Sequence, residues 1–374
     1  MTNNQTLLLY MGCIMSSFIL CTLAINSKYY KNTRSVNLKI LNSSKQVVFN
    51  HSWLVVISLL PLILLAGFRY YTGADYQQYV WSFERTASSN TVFNEYFLAE
   101  EPLYQISKYL VFKLLGNDPI YWFFVMATLT MINIAYANIN LDSHISINWF
   151  ILMFGLFCYL HMFNYVRQIY AASIVLIGIS KLIRKEKLPF VICILIATMV
   201  HRSSMLFIVL LIIIHFQDSV HKPWYKIVMM ISPFFMPVIV ALIKLIPFFS
   251  RYTQYFNVKY QIGFGWLIDV FPIICIALIV EYKMNPDNNI RALIDFSWLV
   301  IPLRAISYYA YAAGRLYLDI SLAAFMALAL ALSKSDRRNI GTKVLILLVF
   351  VVYFLLEFYL WNNSEVFPYR SIWR

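Results

Sequence analysis

Charge is what this sequence has least of. Asp, Glu, Lys and Arg together make up 13% of its 374 residues, against 61% hydrophobic residues. Soluble domains carry about 25% charged residues, so this chain has too little polar surface to cover a water-facing globule. It also lacks a cysteine framework. Cys13, Cys21, Cys158, Cys193 and Cys275 all sit in apolar runs with no CxxC spacing, which excludes a disulfide scaffold or thiolate metal cluster and leaves buried, inert thiols. No DxD-like acidic pair marks a divalent-metal nucleotide-sugar site, although a single carboxylate leaves a metal open. No Lys or Arg precedes the first apolar run, from about Leu7 to Ile25, so that run reads as a retained span and not a cleavable signal. Internal repeats and low-complexity tracts are absent.

What is present is a series of apolar runs, most of them near the ~20 residues a bilayer needs. They fall at about 7–25, 52–68, 119–139, 147–161, 166–183, 188–200, 203–217, 226–248, 266–281, 292–309, 313–333 and 342–361. The expectation is an all-α polytopic membrane protein of about twelve transmembrane helices, forming one integral membrane domain over 1–374. The short runs 188–200 and 203–217 read equally as a broken or re-entrant pair, which survives at membrane depth only under cover of protein or a water-filled cavity.

The net charge of +13 belongs to the positive-inside pattern. Its residues sit in short loops, which argues against nucleic acid as a partner. One set of alternate loops holds seventeen Lys and Arg, in groups around Lys28–Lys45, Lys181–Lys187, Lys222–Lys226, Lys283–Arg291 and Lys334–Lys343; the other holds about eleven. The richer side is expected to be cytoplasmic, with both termini outside. Cations on the outer side stand alone at span ends, at Arg69, Arg167, Arg202 and Arg315. Topology thus gathers the unusual charges on one face.

Five outer constellations carry chemistry. Phe68-Arg-Tyr-Tyr-Thr-Gly-Ala-Asp-Tyr-Gln-Gln-Tyr79 places Arg69 at a span end, a tight turn at Gly73, Asp75 as a helix cap, and Tyr76 and Tyr79 on one helical face. An interfacial anchor accounts for the same residues. Tyr165-Val-Arg-Gln168 puts Arg167 at a helix N-terminus, where it opposes the helix dipole unless an anion or a nearby carboxylate relieves it. His201-Arg-Ser-Ser204 offers an imidazole as general base or as a hydrogen-bonded structural group. Tyr308–Asp319 carries Arg315, Tyr317 and Asp319, where an i,i+4 pair between Arg315 and Asp319 is the simple alternative; Arg304 lies one turn before it. The tail Pro368-Tyr-Arg-Ser-Ile-Trp373 brings Arg370 to the site if it folds back. The outer segment 69–118 contains an amphipathic stretch at 102–115, read as an interfacial helix or a packed connector.

Guanidinium groups suit phosphate, and tyrosine faces and hydroxyls suit sugars. The substrate class these residues point to is a phosphorylated lipid met outside the cytoplasm.

In order along nearly the whole chain, FRYYTGADYQQY (68–79), EPLY (101–104), VRQ (166–168), VH (200–201), GRLY (314–317) and PYRSI (368–372) resemble the EpsG family of Wzy-type exopolysaccharide and O-antigen polymerases. That resemblance implies a GT-C-like membrane glycosyltransferase of the bacterial inner membrane. It would join undecaprenyl-diphosphate-linked oligosaccharides, donor and acceptor both, on the extracytoplasmic face. No cofactor and no metal would be needed, and a chain-length regulator is compatible with it. In that reading Arg69, Arg167 and Arg315 hold the diphosphate, and His201 or Asp75 takes the acceptor proton. Tyr76, Tyr79, Glu101, Gln168, Arg304, Tyr317 and Arg370 are weaker substrate contacts. A lipid-linked oligosaccharide flippase and an integral-membrane O-acyltransferase are the rival classes.

Overall fold

The computed structural model describes residues 1–26, 34–40, 43–49, 53–88, 101–139, 141, 146–245, 265–284, 286–309, 313–334, 340–362 and 364–373. Lys28, Lys31, Arg337, Arg338, Tyr311 and residues 89–100 of the outer segment lie outside the described residues.

The body is helical. Among the described residues, six helices are long and apolar enough to cross a membrane: Asn3–Asn26, Pro119–Ile139, Val166–Ile183, Pro223–Leu242, Gly314–Leu332 and Ile340–Leu360. Other expected spans are shorter or broken, and proline explains several of the breaks. The 52–68 run divides into Trp53–Ser58 and Leu60–Gly67, with Pro61 in the first turn of the second piece. One of the six, Pro223–Leu242 in the 226–248 run, itself passes through a 3-10 turn at Ser232–Phe235, which contains Pro233. The 292–309 run becomes Asn288–Ser297 and Val300–Ala305, the latter holding Pro302. Each proline removes a backbone donor and clashes with the preceding turn. Lys187–Val200, with 14 residues, is only about 21 Å long at 1.5 Å per residue, against a hydrocarbon core of about 30 Å. One antiparallel hairpin, Arg34–Ile40 with Ser43–Phe49, occupies the first basic loop. It was not foreseen.

The Tyr317–Lys334 helix is the central pillar. Every residue from Tyr317 to Leu332 is buried. Its alternation of Ala and Leu (LAAFMALALAL) lets neighbours approach closely on all sides, as small residues do between helices in lipid. It packs against Ser146–Phe157, Asn288–Ser297, Trp266–Lys283 and Val166–Ile183. A satellite core of Tyr76, Tyr79, Tyr104, Trp122 and Phe123 joins the helices Tyr76–Ser88 and Pro102–Leu115 to the bundle. The 102–115 helix buries Tyr104, Ile106 and Val111 and leaves Leu110, Leu114 and Leu115 exposed. It is therefore packed on one face and open on the other.

Arg167 opens the 18-residue Val166–Ile183 helix, and the last residue of that helix lies about 24 Å further along its axis. At the far end the Ile183 carbonyl accepts from Asn289 Nδ2, and Gln217 Nε2 donates to the Asn288 carbonyl. The basic loops near 184, 222 and 291 thus meet at the end of the bundle away from Arg167.

Candidate active site

The turn after Gly67 is built for one residue type. Gly73 has φ of +100°, and a Cβ there would come within 2.6 Å of Asn164 Oδ1. Only glycine meets both demands. Asn164 in turn accepts from the Asp75 backbone N at 3.3 Å and donates to the Ser364 carbonyl at 2.7 Å. The tail folds back onto this turn. Arg69 bridges Ser371 as in an antiparallel ladder, and the Tyr70 N–H donates to the Arg370 carbonyl.

Arg69 itself faces inward. Its side chain is 1% exposed, between the rings of Phe123 and Phe163 at 4.4 and 4.8 Å. Nη1 donates to the Ala66 carbonyl and Nη2 to the Phe163 carbonyl. Burial lowers its pKa to about 10, so it stays charged at neutral pH. It ties the end of the Leu60–Gly67 helix to the segment before Val166. This arrangement does not present Arg69 to a diphosphate.

Glu101 is the hub of a charged cluster. It sits in the left-handed region, with φ 57° and ψ 60°, just before the Pro102–Leu115 helix. Such a backbone is uncommon away from glycine and costs on the order of 1–3 kcal/mol where it occurs at functional positions. Its Oε2 lies 2.6 Å from Arg167 Nη1, and its Oε1 lies 2.6 Å from His201 Nδ1. The Arg202 N–H also donates to Oε1, at 3.3 Å. Burial pushes the Glu101 pKa up, but the His201 hydrogen bond, the charges of His201 and Arg167 and the Arg202 N–H outweigh it and hold the carboxyl below its ordinary value. An ionised Glu101 only accepts, so the hydrogen on His201 is at Nδ1 and the other ring nitrogen keeps its lone pair when the ring is neutral. The Arg167 guanidinium also lies 5.0 Å over the Tyr104 ring, and its side chain remains 40% exposed.

Arg315 and Asp75 form the second part. Arg315 Nη1 lies 4.0 Å from Asp75 Oδ2, and its guanidinium lies 4.5 Å over Tyr165. Both partners are partly exposed, so the pair is weak. The Asp75 carboxylate turns toward Arg315, and it is the Asp75 carbonyl that the helix uses, accepting from the Tyr79 N–H. Burial raises the Asp75 pKa against the pull of Arg315 and Arg167. Gln168 Nε2 donates to the Arg315 carbonyl at 2.9 Å and to Asp319 Oδ2 at 3.2 Å. Arg315 sits in a 3-10 turn, Ala313–Leu316, just before the Tyr317–Lys334 helix. Its phase is therefore not that of an α-helical i,i+4 pair, and the fully buried Asp319 is held by Gln168.

A second network lies deeper. His161 Nε2 is 3.0 Å from the Tyr353 hydroxyl and 3.1 Å from that of Tyr317. Tyr353 donates to Asp269 Oδ1, and Arg304 Nε donates to Asp269 Oδ2 at 2.6 Å. The Arg304 guanidinium lies 5.2 Å over the Tyr317 ring. The His161 ring stacks on Tyr165, which lies under Arg315. The two networks are therefore contiguous. Among the described residues, no group of three or more His, Cys, Asp or Glu side chains is gathered as metal ligands would be.

Residues 52–371 match the EpsG family model. The chain belongs to the EpsG family. This is a family of polysaccharide polymerase type, and with six apolar helices of spanning length among the described residues the chain is a multi-pass membrane protein of polysaccharide biosynthesis. Comparison with curated proteins and with solved structures finds no match.

Placed on this EpsG-family chain, the sequence candidates separate into three groups. Glu101, Arg167 and His201 meet directly; Asp75, Arg315 and Gln168 form a second set, joined by the approach of Arg315 to Asp75 and the Gln168 hydrogen bond to the Arg315 carbonyl. Arg304 and Tyr317 belong to the deeper network. Tyr76 and Tyr79 are buried, Tyr76 stacked on Phe123 at 4.9 Å and Tyr79 donating to the Asn164 carbonyl at 2.8 Å. They support the site from behind. The tail does fold back, yet the Arg370 side chain is exposed and only its backbone engages the turn. Sequence reading passed over His161, Asn164 and Asp269. Asp269 carried a usable signal, as a lone carboxylate inside an apolar run.

Proposed function

We propose that this EpsG-family protein joins undecaprenyl-diphosphate-linked oligosaccharide units into a polysaccharide on the extracytoplasmic face of the membrane. The observation that carries the reading is Glu101, whose two oxygens hold Arg167 and His201 side by side. That arrangement sets an anion-binding group beside a proton acceptor, which is what glycosyl transfer from a diphosphate requires.

In this mechanism Glu101 accepts the Nδ1 hydrogen of His201 and keeps Nε2 available as base. An acceptor sugar hydroxyl gives its proton to Nε2 as its oxygen attacks C1 of the donor sugar. The C1–O bond to the diphosphate breaks, and its electron pair leaves with the lipid diphosphate. Arg167 and Arg315, both partly exposed, stabilise the charge that develops there. Asp75 orients Arg315 or a sugar hydroxyl. Arg69 anchors the turn that carries Asp75. The mechanism assigns no step to a metal.

The test is chain growth by purified protein on a defined undecaprenyl-diphosphate oligosaccharide, without nucleotide sugar or added metal. Ladders of lengthened lipid-linked product are expected. Translocation of labelled lipid across liposomes without chain growth would favour a flippase instead.

A further inference from the structure

Asp319 is a carboxyl group that the transfer mechanism does not use. It lies in the Gly314–Leu332 span and is fully buried. A carboxyl inside a spanning helix is costly, and it is kept where a partner gives it a task. The nearest cation in sequence, Arg315 one turn before it, approaches Asp75 instead. What Asp319 holds is an amide. Its Oδ2 accepts from Gln168 Nε2 at 3.2 Å, and the same nitrogen donates to the Arg315 carbonyl at 2.9 Å. An amide nitrogen carries two hydrogens. Each bond therefore uses one, and the bond to Asp319 fixes the direction of the bond to Arg315.

Gln168 is placed to register two guanidinium groups. It follows Arg167 in the first turn of the Val166–Ile183 helix. Successive helical residues point about 100° apart, so Arg167 reaches Glu101 while Gln168 reaches the Ala313–Leu316 turn. That turn carries Arg315 into a helix whose residues are buried from Tyr317 to Leu332. Ser203 and the His201 ring also lie close enough to act on the Asp319 carboxyl. Asp319 thus borders both parts of the site.

We propose that Asp319 is a positioning residue for diphosphate binding. Through Gln168 it fixes the turn that carries Arg315, and with it the placement of Arg315 relative to Arg167. With no exposed surface, Asp319 itself does not touch the substrate. The proposal rests on the polymerase reading, in which these two guanidinium groups receive the lipid diphosphate.

The experiment measures binding of farnesyl diphosphate, a water-soluble isoprenoid diphosphate, to purified full-length protein in detergent. Asp319→Leu should weaken binding about tenfold or more, the effect of leaving the buried Gln168 N–H without its acceptor. Asp319→Asn keeps an acceptor for Gln168 and should bind nearly as wild type does. The paired variant Gln168→Leu with Asp319→Leu replaces both partners by apolar groups, which is close to neutral for folding, and should bind as weakly as Asp319→Leu. The deciding comparison is made in an Arg315→Gln background. There Asp319→Leu should add almost nothing, because the residue it positions is gone. A brace that only holds the bundle together would weaken binding equally in both backgrounds. Equal loss in the two backgrounds, a defect that Asp319→Asn does not rescue, or full binding by the paired variant overturns the proposal. Chain growth is measured on the same preparations. Unchanged growth in Asp319→Leu overturns the positioning role alone. Binding that depends on Asp319 and Arg315 as expected, in wild-type protein that grows no chains, overturns the polymerase reading alone.

Discussion

Glu101 Oε1 lies 2.6 Å from His201 Nδ1 across a sequence separation of one hundred residues. The same carboxylate holds Arg167 with its other oxygen. One partly buried anion therefore sets both the proton position on a histidine and the direction of a guanidinium. A left-handed backbone at Glu101 delivers the carboxylate to that point.

Glu101→Gln is expected to leave the protein in the membrane at normal level and to lower the chain-growth rate about 10²–10⁴-fold, the range associated with a positioned general base and its orienting carboxylate. Gln can donate as well as accept, so the hydrogen is no longer held at Nδ1. Rates on purified protein, with membrane abundance measured in parallel, check this.

Glu101 and Asp75 should respond to pH in opposite senses. The folded pKa of Glu101 is lowered, so its stabilisation is complete above the ordinary carboxylate value and is lost as pH falls through the lowered one. That of Asp75 is raised by burial, so its contribution is complete below the ordinary value and is lost as pH rises through the raised one. At pH 7, Glu101→Gln should melt below wild type in detergent, and Asp75→Asn should melt at or above it. Both differences should shrink on acidification from about pH 7 toward pH 3. Parallel shifts of the two variants would contradict the assignment.

Arg69→Met should act on stability. It leaves the Ala66 and Phe163 carbonyls without their donor, at about 1–3 kcal/mol for each buried group. A lower melting temperature and reduced membrane abundance are expected. Arg167→Gln, by contrast, should keep abundance and lose chain growth, by about 10²–10³ for one preorganised donor.

Gly73→Ala should be damaging although it adds one methyl group. A φ of +100° and a 2.6 Å approach to Asn164 Oδ1 force the turn to move. The expected loss is more than about 1 kcal/mol of stability, with lower activity as Asp75 shifts. Thermal unfolding and chain-growth rates on the same sample measure both.

Much of this was legible in the chain. Isolated cations at span ends singled out Arg167 and Arg315, and His201 stood beside them; the structure brings Arg167 and His201 onto one carboxylate and Arg315 near Asp75. The family resemblance gave the order of the motifs, and the EpsG match bears it out. Composition suggests about twelve spans, where six helices of spanning length are found among the described residues; Pro61 and Pro302 break runs whose composition still looks continuous. Arg69 could not be told from Arg167 by composition. Both stand at span ends, and only the packing of Phe123 and Phe163 separates a buried clamp from an open guanidinium. The rank of Glu101 was also hidden. Its role depends on a left-handed φ and on partners 66 and 100 residues away, which no local pattern encodes.

The most direct test of Glu101 and His201 as one working unit is a double-mutant cycle on chain growth. Glu101→Gln, His201→Gln and the double variant are compared with wild type at equal membrane abundance. Residues that act as a unit are strongly non-additive, so the double variant should be no slower than His201→Gln alone. If the two losses multiply, Glu101 and His201 act independently and the shared-site mechanism is wrong.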